Sequence, residues 1–174
     1  MRVVIGGTLV GAAALGTFAV VSASAGSSPS TAPRSAVGKN LARSTHLSAD
    51  AAGRAAQAVL DAAAKENQRV SVAVVDRNGN TIVTLRGDGA GPQAYEAAQK
   101  KAFTAVSWNA PTSELVKRLE NAPTLKDIPG TLFLGGGVPV DAKGAPIAGI
   151  GVAGAPSGDL DEKFARAGAA ALGK

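Results

Sequence analysis

The sequence feature that most constrains the fold is the pair Asn78-Gly79, which separates two short runs of mostly apolar residues. The runs cover residues 70–75 and 81–85 and are rich in β-branched side chains, which favour extended strands. An Asn-Gly pair tolerates positive φ at both central positions of a tight turn, which favours a two-strand hairpin. We therefore predict an antiparallel hairpin at this point in the chain.

A second hairpin is predicted where residues 141–144 (Asp-Ala-Lys-Gly) separate two further apolar runs, 138–140 and 145–152. Apolar residues at helical spacing predict four helices around the two hairpins. Ser48 is the expected N-cap of the first helix, and Thr112 or Ser113 that of the third. The predicted helices cover residues 48–67, 92–108, 112–119 and 159–172. This order indicates an α+β domain, an antiparallel sheet built from two hairpins with flanking helices.

The N-terminal segment has the pattern of a secretory signal peptide. Residues 3–21 contain no charge, Arg2 precedes them, and Ala23-Ser24-Ala25 places small residues where signal peptidase requires them. We predict a signal peptide at 1–25, a flexible linker at 26–46 and one domain at 47–174, and hence an extracellular protein. An uncleaved membrane anchor is the alternative, because the apolar run is nearly long enough to cross a bilayer.

The distribution of charge argues against a nucleic-acid-binding surface. Residues 26–46 carry three basic residues and no acid, so part of the high isoelectric point comes from the linker. Within residues 47–174, 14 Lys and Arg face 13 Asp and Glu, and aromatic residues are few. We therefore predict no nucleic-acid partner.

Few residues after the predicted cleavage site can supply metal-ligand or catalytic chemistry. The only imidazole is His46, the only phenol is Tyr95, and there is no cysteine. A zinc site of His and Cys ligands within one chain, a cysteine nucleophile and a disulfide are therefore excluded. His46 could serve a serine hydrolase, but no Gly-x-Ser-x-Gly motif accompanies it. Tyr95 lies on the predicted apolar face of the second helix, so we interpret it as a core residue.

The glycine-rich segment Gly135-Gly136-Gly137 has two interpretations. It lacks both the Lys-Ser/Thr ending of a phosphate-binding loop and the spacing of a dinucleotide-binding motif. Either it is a tight backbone entry into the next strand, or it brings the backbone close to a flat ligand or a neighbouring subunit.

Six short motifs in one order closely resemble the GlcG/HbpS family of haem-binding proteins, over essentially residues 47–172. The exported leader makes the secreted actinobacterial HbpS branch the most similar. The motifs cover residues 71–79, 86–90, 100–105, 111–112, 136–139 and 149–155.

The resemblance implies haem as the ligand, an iron site, and a homo-octamer that degrades haem and modulates a membrane sensor kinase. By position, His46 and Thr131 match the haem-contacting residues of that branch, and Glu96 matches the first carboxylate of its iron-binding pair. The second carboxylate is replaced here by Gln99, which weakens the case for iron at Glu96. The alternative for Glu96 is a solvated position on a helix face.

His46 is a haem-ligand candidate on chemical grounds as well, because haem iron takes axial donors such as imidazole or phenolate. The alternative for His46 is a linker histidine without a partner. The sequence thus predicts an extracellular haem-binding protein, with haem breakdown as a further activity but no classical catalytic constellation. Two alternatives are a non-catalytic oligomeric protein of the same fold that binds another small molecule or partner, and a small-molecule enzyme on that fold.

Overall fold

The computed structural model describes residues 35–173. The predicted signal peptide at 1–25 and the first part of the predicted linker lie outside these residues. The described residues divide into two units, one ending at Leu41 and the other beginning at Ala42. The first contains one turn of 3₁₀ helix, Gly38–Asn40. Within 35–173, no helix is long and apolar enough to cross a membrane.

The second unit contains four α-helices and a four-stranded antiparallel sheet, in the strand order β2-β1-β4-β3. The predicted α+β class and both hairpins are therefore confirmed. Short 3₁₀ helices occur at Pro123–Asp127 and Ala171–Gly173. In chain order the elements are α1 (Ala49–Lys65), β1 (Ser71–Asp76), β2 (Thr81–Arg86), α2 (Pro92–Trp108), α3 (Thr112–Arg118), β3 (Gly137–Ala142), β4 (Ala145–Ala153) and α4 (Gly158–Ala170).

The sheet is covered on both faces, because alternate side chains of a strand point to opposite sides. In β1, Val72 and Val74 pack against the layer formed by α1 and α4. Ala73 and Val75 point the other way and pack against α2. Burial on both faces explains why β1 is an almost continuous apolar run and not an alternating one.

Glycines allow α2 to lie directly on the centre of the sheet. A Cβ atom added at Gly149 would collide with the carbonyl oxygen of Ala102, and one at Gly151 with that of Ala98. The two glycines are therefore required by packing of helix backbone against strand backbone. This contact fixes the position of α2, which carries Glu96, Lys101 and Phe103.

Two details of the predicted helices were wrong at α3. Its N-cap residue is Pro111, and neither Thr112 nor Ser113 caps the helix with its own side chain. Helical spacing also predicts Leu115, Val116 and Leu119 on the buried side of this helix, but Val116 is 36% exposed, whereas Leu115 is fully buried. Ser48 does cap α1 as predicted, because its side chain accepts a hydrogen bond from the Ala51 N–H at 3.3 Å.

Candidate functional site

The two hairpin turns, the start of α1 and the C-terminal half of α2 lie at one end of the domain, which we call the turn end. This follows from the registers, in which Asp76 at the end of β1 is opposite Ala148 near the start of β4. Helix α1 leads into β1 and strand β2 leads into α2, so each helix runs antiparallel to the strand it adjoins. Residues just before α1 and residues of the second half of α2 therefore border the same turn.

His46 lies at the turn end, on the side of the sheet covered by α1 and α4. Its neighbour Leu47 packs against the cluster that includes Val72 and Val74. The imidazole is exposed, and its Nε2 atom is 2.6 Å from the Ser44 Oγ, with which it shares a hydrogen bond. This pairing engages one ring nitrogen and leaves Nδ1 for another ligand.

Asp76 is the charged neighbour of His46 and organises the β1–β2 turn. One of its carboxylate oxygens accepts hydrogen bonds from the backbone N–H groups of Asn78, at 2.8 Å, and Asn80, at 2.9 Å. Burial alone would raise the pKa of Asp76. The hydrogen bonds from Asn80 and Asn78, together with the nearby charge of His46, outweigh it and hold that pKa below its usual value.

Thr131 lies on the opposite side of the sheet, against α2. Its hydroxyl donates a 2.8 Å hydrogen bond to the Ile128 carbonyl oxygen. The following residue, Leu132, donates its N–H to the Thr104 Oγ1 atom of α2 at 2.8 Å. Because the Thr131 hydrogen points at Ile128, the lone pairs of its oxygen stay available, and no donor to them is found among residues 35–173.

Beside Thr131, a shallow cleft of about 160 Å³ has the half-buried ring of Phe103 in its wall. A Cβ at Gly79 would be 2.8 Å from one edge of this ring and one at Gly130 would be 3.6 Å from the opposite edge, so backbone lies close to the ring on both sides. Gln99 and Lys100 supply the polar part of the lining. The cleft therefore combines an aromatic surface with an amide and an ammonium group.

Glu96 lies on the outer face of α2 and is 70% exposed at its side chain. Its carboxylate is 2.7 Å from the Lys100 Nζ, and this hydrogen-bonded ion pair holds the pKa of Glu96 below its usual value. Gln99 donates a long 3.4 Å hydrogen bond to Thr84. Residues 35–173 contain no group of three or more His, Cys, Asp or Glu side chains positioned to hold a metal ion.

Tyr95 is not the core residue that the helical pattern predicted. Its side chain is 45% exposed, whereas the adjacent Ala94 is buried against the sheet. The pattern failed because the inner face of α2 is narrow, lined by alanines that lie close to glycines of β4. A tyrosine at the edge of this face is directed to solvent.

A buried ion pair, which the sequence analysis did not identify, joins α2 to α4. Lys101 is 2% exposed and Asp161 is 3% exposed. The Lys101 Nζ donates to Asp161 Oδ2 at 2.8 Å and to the Val152 carbonyl oxygen at 2.9 Å. Burial raises the pKa of Asp161, although hydrogen bonds from Lys101 and from the backbone N–H groups of Ala155 and Gly154 oppose that rise.

The glycine-rich segment closes over this pair. A Cβ at Gly136, where φ is +125°, would lie 2.7 Å from the Lys101 Nζ and 2.8 Å from the Asp161 Cβ. Gly135 lies against the backbone of Gly158 in α4. These contacts support the interpretation of a tight backbone entry into β3.

A second buried carboxylate, Glu162, holds the start of α3. It accepts hydrogen bonds from the Ser113 N–H at 3.1 Å and the Ser113 hydroxyl at 2.9 Å, and it pairs with Arg166 at 2.7 Å. Glu162 therefore supplies the cap that Pro111 cannot provide. In the sequence, Asp161 and Glu162 are typical of an exposed first helical turn, so pattern alone could not identify either role.

Two further cavities lie at the other end of the sheet. One, of about 440 Å³, lies between the C-terminal part of α1 and the segment 67–70. Another, of about 330 Å³, lies between α2 and the loop 153–158, with Lys101 and Asp161 in its wall. Neither cavity is lined by His46, Glu96 or Thr131, so the candidate site residues predicted from the sequence do not lie in these two cavities.

Comparison with known proteins identifies the family of this chain and some of its relatives. Residues 47–170 match the family model described as "Haem degrading protein HbpS-like". An uncharacterised 15.0 kDa protein of Citrobacter freundii is 33% identical over 109 residues, which cover 60% of this chain and 77% of that protein.

Two solved structures share the fold. A double glutamate-to-aspartate variant of Streptomyces reticuli HbpS is 73% identical, with a TM-score of 0.82, over 84% of this chain and 100% of that chain. A complex of PduOC with haem is 28% identical, with a TM-score of 0.67, over 73% of this chain and 95% of that one.

Proposed function

The chain belongs to the HbpS-like family of haem-degrading proteins, and from this membership we propose that it binds haem. The observation that carries the proposal is the family match over residues 47–170, together with a related structure that was solved as a haem complex. The fold of the haem-binding relative therefore extends to most of this chain.

The turn end offers chemistry that suits haem. The Phe103 ring provides an apolar surface for a porphyrin, and Lys100, which is 42% exposed, provides a cation for a propionate group. Haem supplies an iron whose axial positions accept donors such as imidazole. His46 is the only imidazole of the chain, and the free lone pairs of Thr131 suit an orienting contact to the ligand or to a bound water.

Haemin titration tests the proposal most directly. The mature protein should develop a Soret band that saturates, and the Thr131→Val variant should bind more weakly because a methyl group replaces the hydroxyl. Thr124→Val is the matched control, because Thr124 is exposed on the same connection. A wild-type protein that leaves the haemin spectrum unchanged would overturn the proposal and favour the alternative of a non-haem partner or ligand.

Haem degradation is a further part of the proposal, supported by the description of the family. It requires an oxidant that the protein itself does not supply, so the test adds hydrogen peroxide to the haem complex. The Soret band should disappear faster than with free haemin at the same concentration. Equal rates would restrict the function to haem binding.

Iron binding at Glu96 has weaker support than haem binding. Glu96 is paired with Lys100, and the next residue of the expected pair is an amide, Gln99. A carboxylate from a second copy would have to complete the site. We expect the protein to form the homo-octamer that the resemblance implies and to bind ferrous iron more weakly after Glu96→Gln, whereas unchanged affinity would remove Glu96 from any iron site.

Export and kinase regulation complete the proposed function. The pattern Ala23-Ser24-Ala25 after an uncharged run supports export, and protein from the culture supernatant should begin at Gly26. Recovery of only the full-length chain in membranes would contradict cleavage. The resemblance to the secreted branch supports modulation of a membrane sensor kinase, which autophosphorylation with and without the haem-loaded protein would test.

A further inference from the structure

The cavity of about 330 Å³ between α2 and the loop 153–158 lies at the end of the sheet opposite the turn end. Small-molecule sites typically enclose about 300–1,000 Å³, so this volume suits a ligand at the small end of that range. The cavity is not lined by His46, Thr131 or Phe103. It can therefore hold an occupant of its own, separate from the haem that we propose for the turn end.

Much of the cavity lining is short and aliphatic. The apolar part of the surface is formed by Ala94, Ala97, Leu134, Ala153, Ala155 and Pro156. Leu134 is 50% exposed, so a large part of its apolar surface is open to a ligand. Among the described residues that line the cavity, none is aromatic. Such a surface suits a short hydrocarbon chain, whereas an aromatic ring would find no partner for stacking.

A buried ammonium group forms part of the wall. Lys101 is 2% exposed, and its Nζ carries three hydrogens. Two of them are donated, to Asp161 Oδ2 at 2.8 Å and to the Val152 carbonyl oxygen at 2.9 Å. Within residues 35–173 no acceptor is found for the third. Because a buried donor without an acceptor is costly, this side of the cavity favours a ligand with an oxygen acceptor.

The carboxylate of Asp161 does not compete for that acceptor position, because both of its oxygens already have donors. Asp161 Oδ2 accepts from Lys101, and Oδ1 accepts from the Ala155 N–H at 3.0 Å. The negative charge of Asp161 is thus balanced inside the protein. The third hydrogen of Lys101 remains for a ligand.

The first turns of two helices also line the cavity, through Gln93 of α2 and Gly158 of α4. N–H groups in a first helical turn have no acceptor within their own helix, and the helix dipole makes this end positive. In α2 this end has no side-chain cap and no acidic residue in its first turn. The start of α2 therefore adds unpaired donors and partial positive charge to the Lys101 ammonium.

We propose that this cavity binds a small aliphatic carboxylate, a molecule with one carboxyl group and a short hydrocarbon chain. The carboxylate accepts the third hydrogen of Lys101 and lies at the positive end of α2, while the chain lies against Leu134 and its aliphatic neighbours. The site does not depend on haem, because it is at the opposite end of the sheet from the turn end.

Saturation-transfer NMR with butyrate tests the proposal, and butyramide and n-butylamine are controls of similar size. The wild-type protein should bind butyrate saturably with a Kd of about 1 mM or lower. Butyramide should bind at least about fivefold more weakly because it lacks the negative charge, and n-butylamine should not bind. Equal binding of butyrate and n-butylamine would overturn the proposal. No butyrate binding at all would show that solvent satisfies the third hydrogen, and would overturn it too.

Substitutions at Leu134 locate the site and test the sign of its charge without disturbing the core. Leu134→Glu should weaken butyrate binding by at least about fivefold, and Leu134→Lys should strengthen it. Ile128→Glu is the matched control, because Ile128 is 41% exposed and does not line this cavity. Equal butyrate affinities of Leu134→Glu and Leu134→Lys would overturn the proposal.

The double variant Lys101→Met/Asp161→Asn removes the donor and leaves no buried charge unpaired. With its fold verified by circular dichroism, it should bind butyrate at least about tenfold more weakly, and unchanged affinity would overturn the proposal. If this variant does not fold, the Leu134 substitutions decide. Saturating butyrate should also leave the haemin titration of the wild type unchanged. Competition between butyrate and haemin would place butyrate at the haem site and overturn the separate cavity.

Discussion

Lys101 Nζ lies 2.8 Å from Asp161 Oδ2, and both side chains are almost completely removed from solvent. The pair connects the helix on one face of the sheet to a helix on the other, next to the glycine-rich entry into β3. Removing one partner of a buried pair leaves an uncompensated charge, which costs far more than the loss of a surface ion pair.

The first prediction is that Lys101→Met lowers the free energy of unfolding by about 3–5 kcal/mol, because Asp161 is left buried without its cation. The double variant Lys101→Met/Asp161→Leu should lose less than Lys101→Met alone, since no charge is then left unpaired. Denaturant unfolding at fixed protein concentration measures both. A double variant that is less stable than Lys101→Met would show that the unpaired Asp161 charge is not the main cost.

The second prediction concerns the contact between α2 and β4. Gly151→Ala should destabilise the protein by at least about 2 kcal/mol or prevent folding, because the added methyl group would overlap the Ala98 carbonyl oxygen. Gly53→Ala is the matched control in α1, where a Cβ meets nothing within 4 Å. That substitution should raise stability by about 0.5–1 kcal/mol, because alanine is the better helix former. Equal effects at the two sites in thermal unfolding would refute the packing argument.

The third prediction is a pH dependence that originates at Asp76. Its pKa is lowered in the folded protein, so its stabilising contribution is present above the usual value of 3.8 and is lost as the pH falls through the lowered pKa. The stability advantage of the wild type over Asp76→Asn should therefore shrink on acidification below that value. Asp88→Asn, an exposed acid outside this turn, provides the control. An advantage that grows toward low pH would have the wrong sign.

The fourth prediction compares two candidate axial ligands of the haem iron, the His46 imidazole and the Tyr95 phenol. His46→Ala should shift the Soret band and weaken haem binding by at least about tenfold, about 1.4 kcal/mol. Tyr95→Phe should leave both unchanged if the phenol is no ligand. Because Tyr95 is half-exposed, a changed spectrum in that variant would not reflect core damage and would transfer the ligand role to the phenolate. An unchanged His46→Ala spectrum would remove His46 from the site.

The sequence by itself determined the elements of this fold, because their signals are local. Asn78-Gly79 predicted its hairpin, although of the two residues Gly79 alone takes a positive φ, of +89°, and Ser48 predicted the start of α1 from capping. Side-chain inventory likewise selected His46, since no other residue of the chain carries an imidazole. These properties depend on residues close together in the chain or on composition.

Only the tertiary structure decided which distant residues meet. Asp161 and Glu162 have the pattern of an exposed helix start, yet packing places them against Lys101 and Ser113, which lie 60 and 49 positions earlier. Tyr95 was wrongly predicted to be a core residue because the width of a buried helix face is set by the neighbouring sheet and its glycines. The sequence could not predict that the segments of His46 and Thr131 lie on opposite sides of the sheet. The side of a sheet that a segment covers depends on the register and direction of every strand. That placement is a property of the assembled layers and is carried by no local pattern.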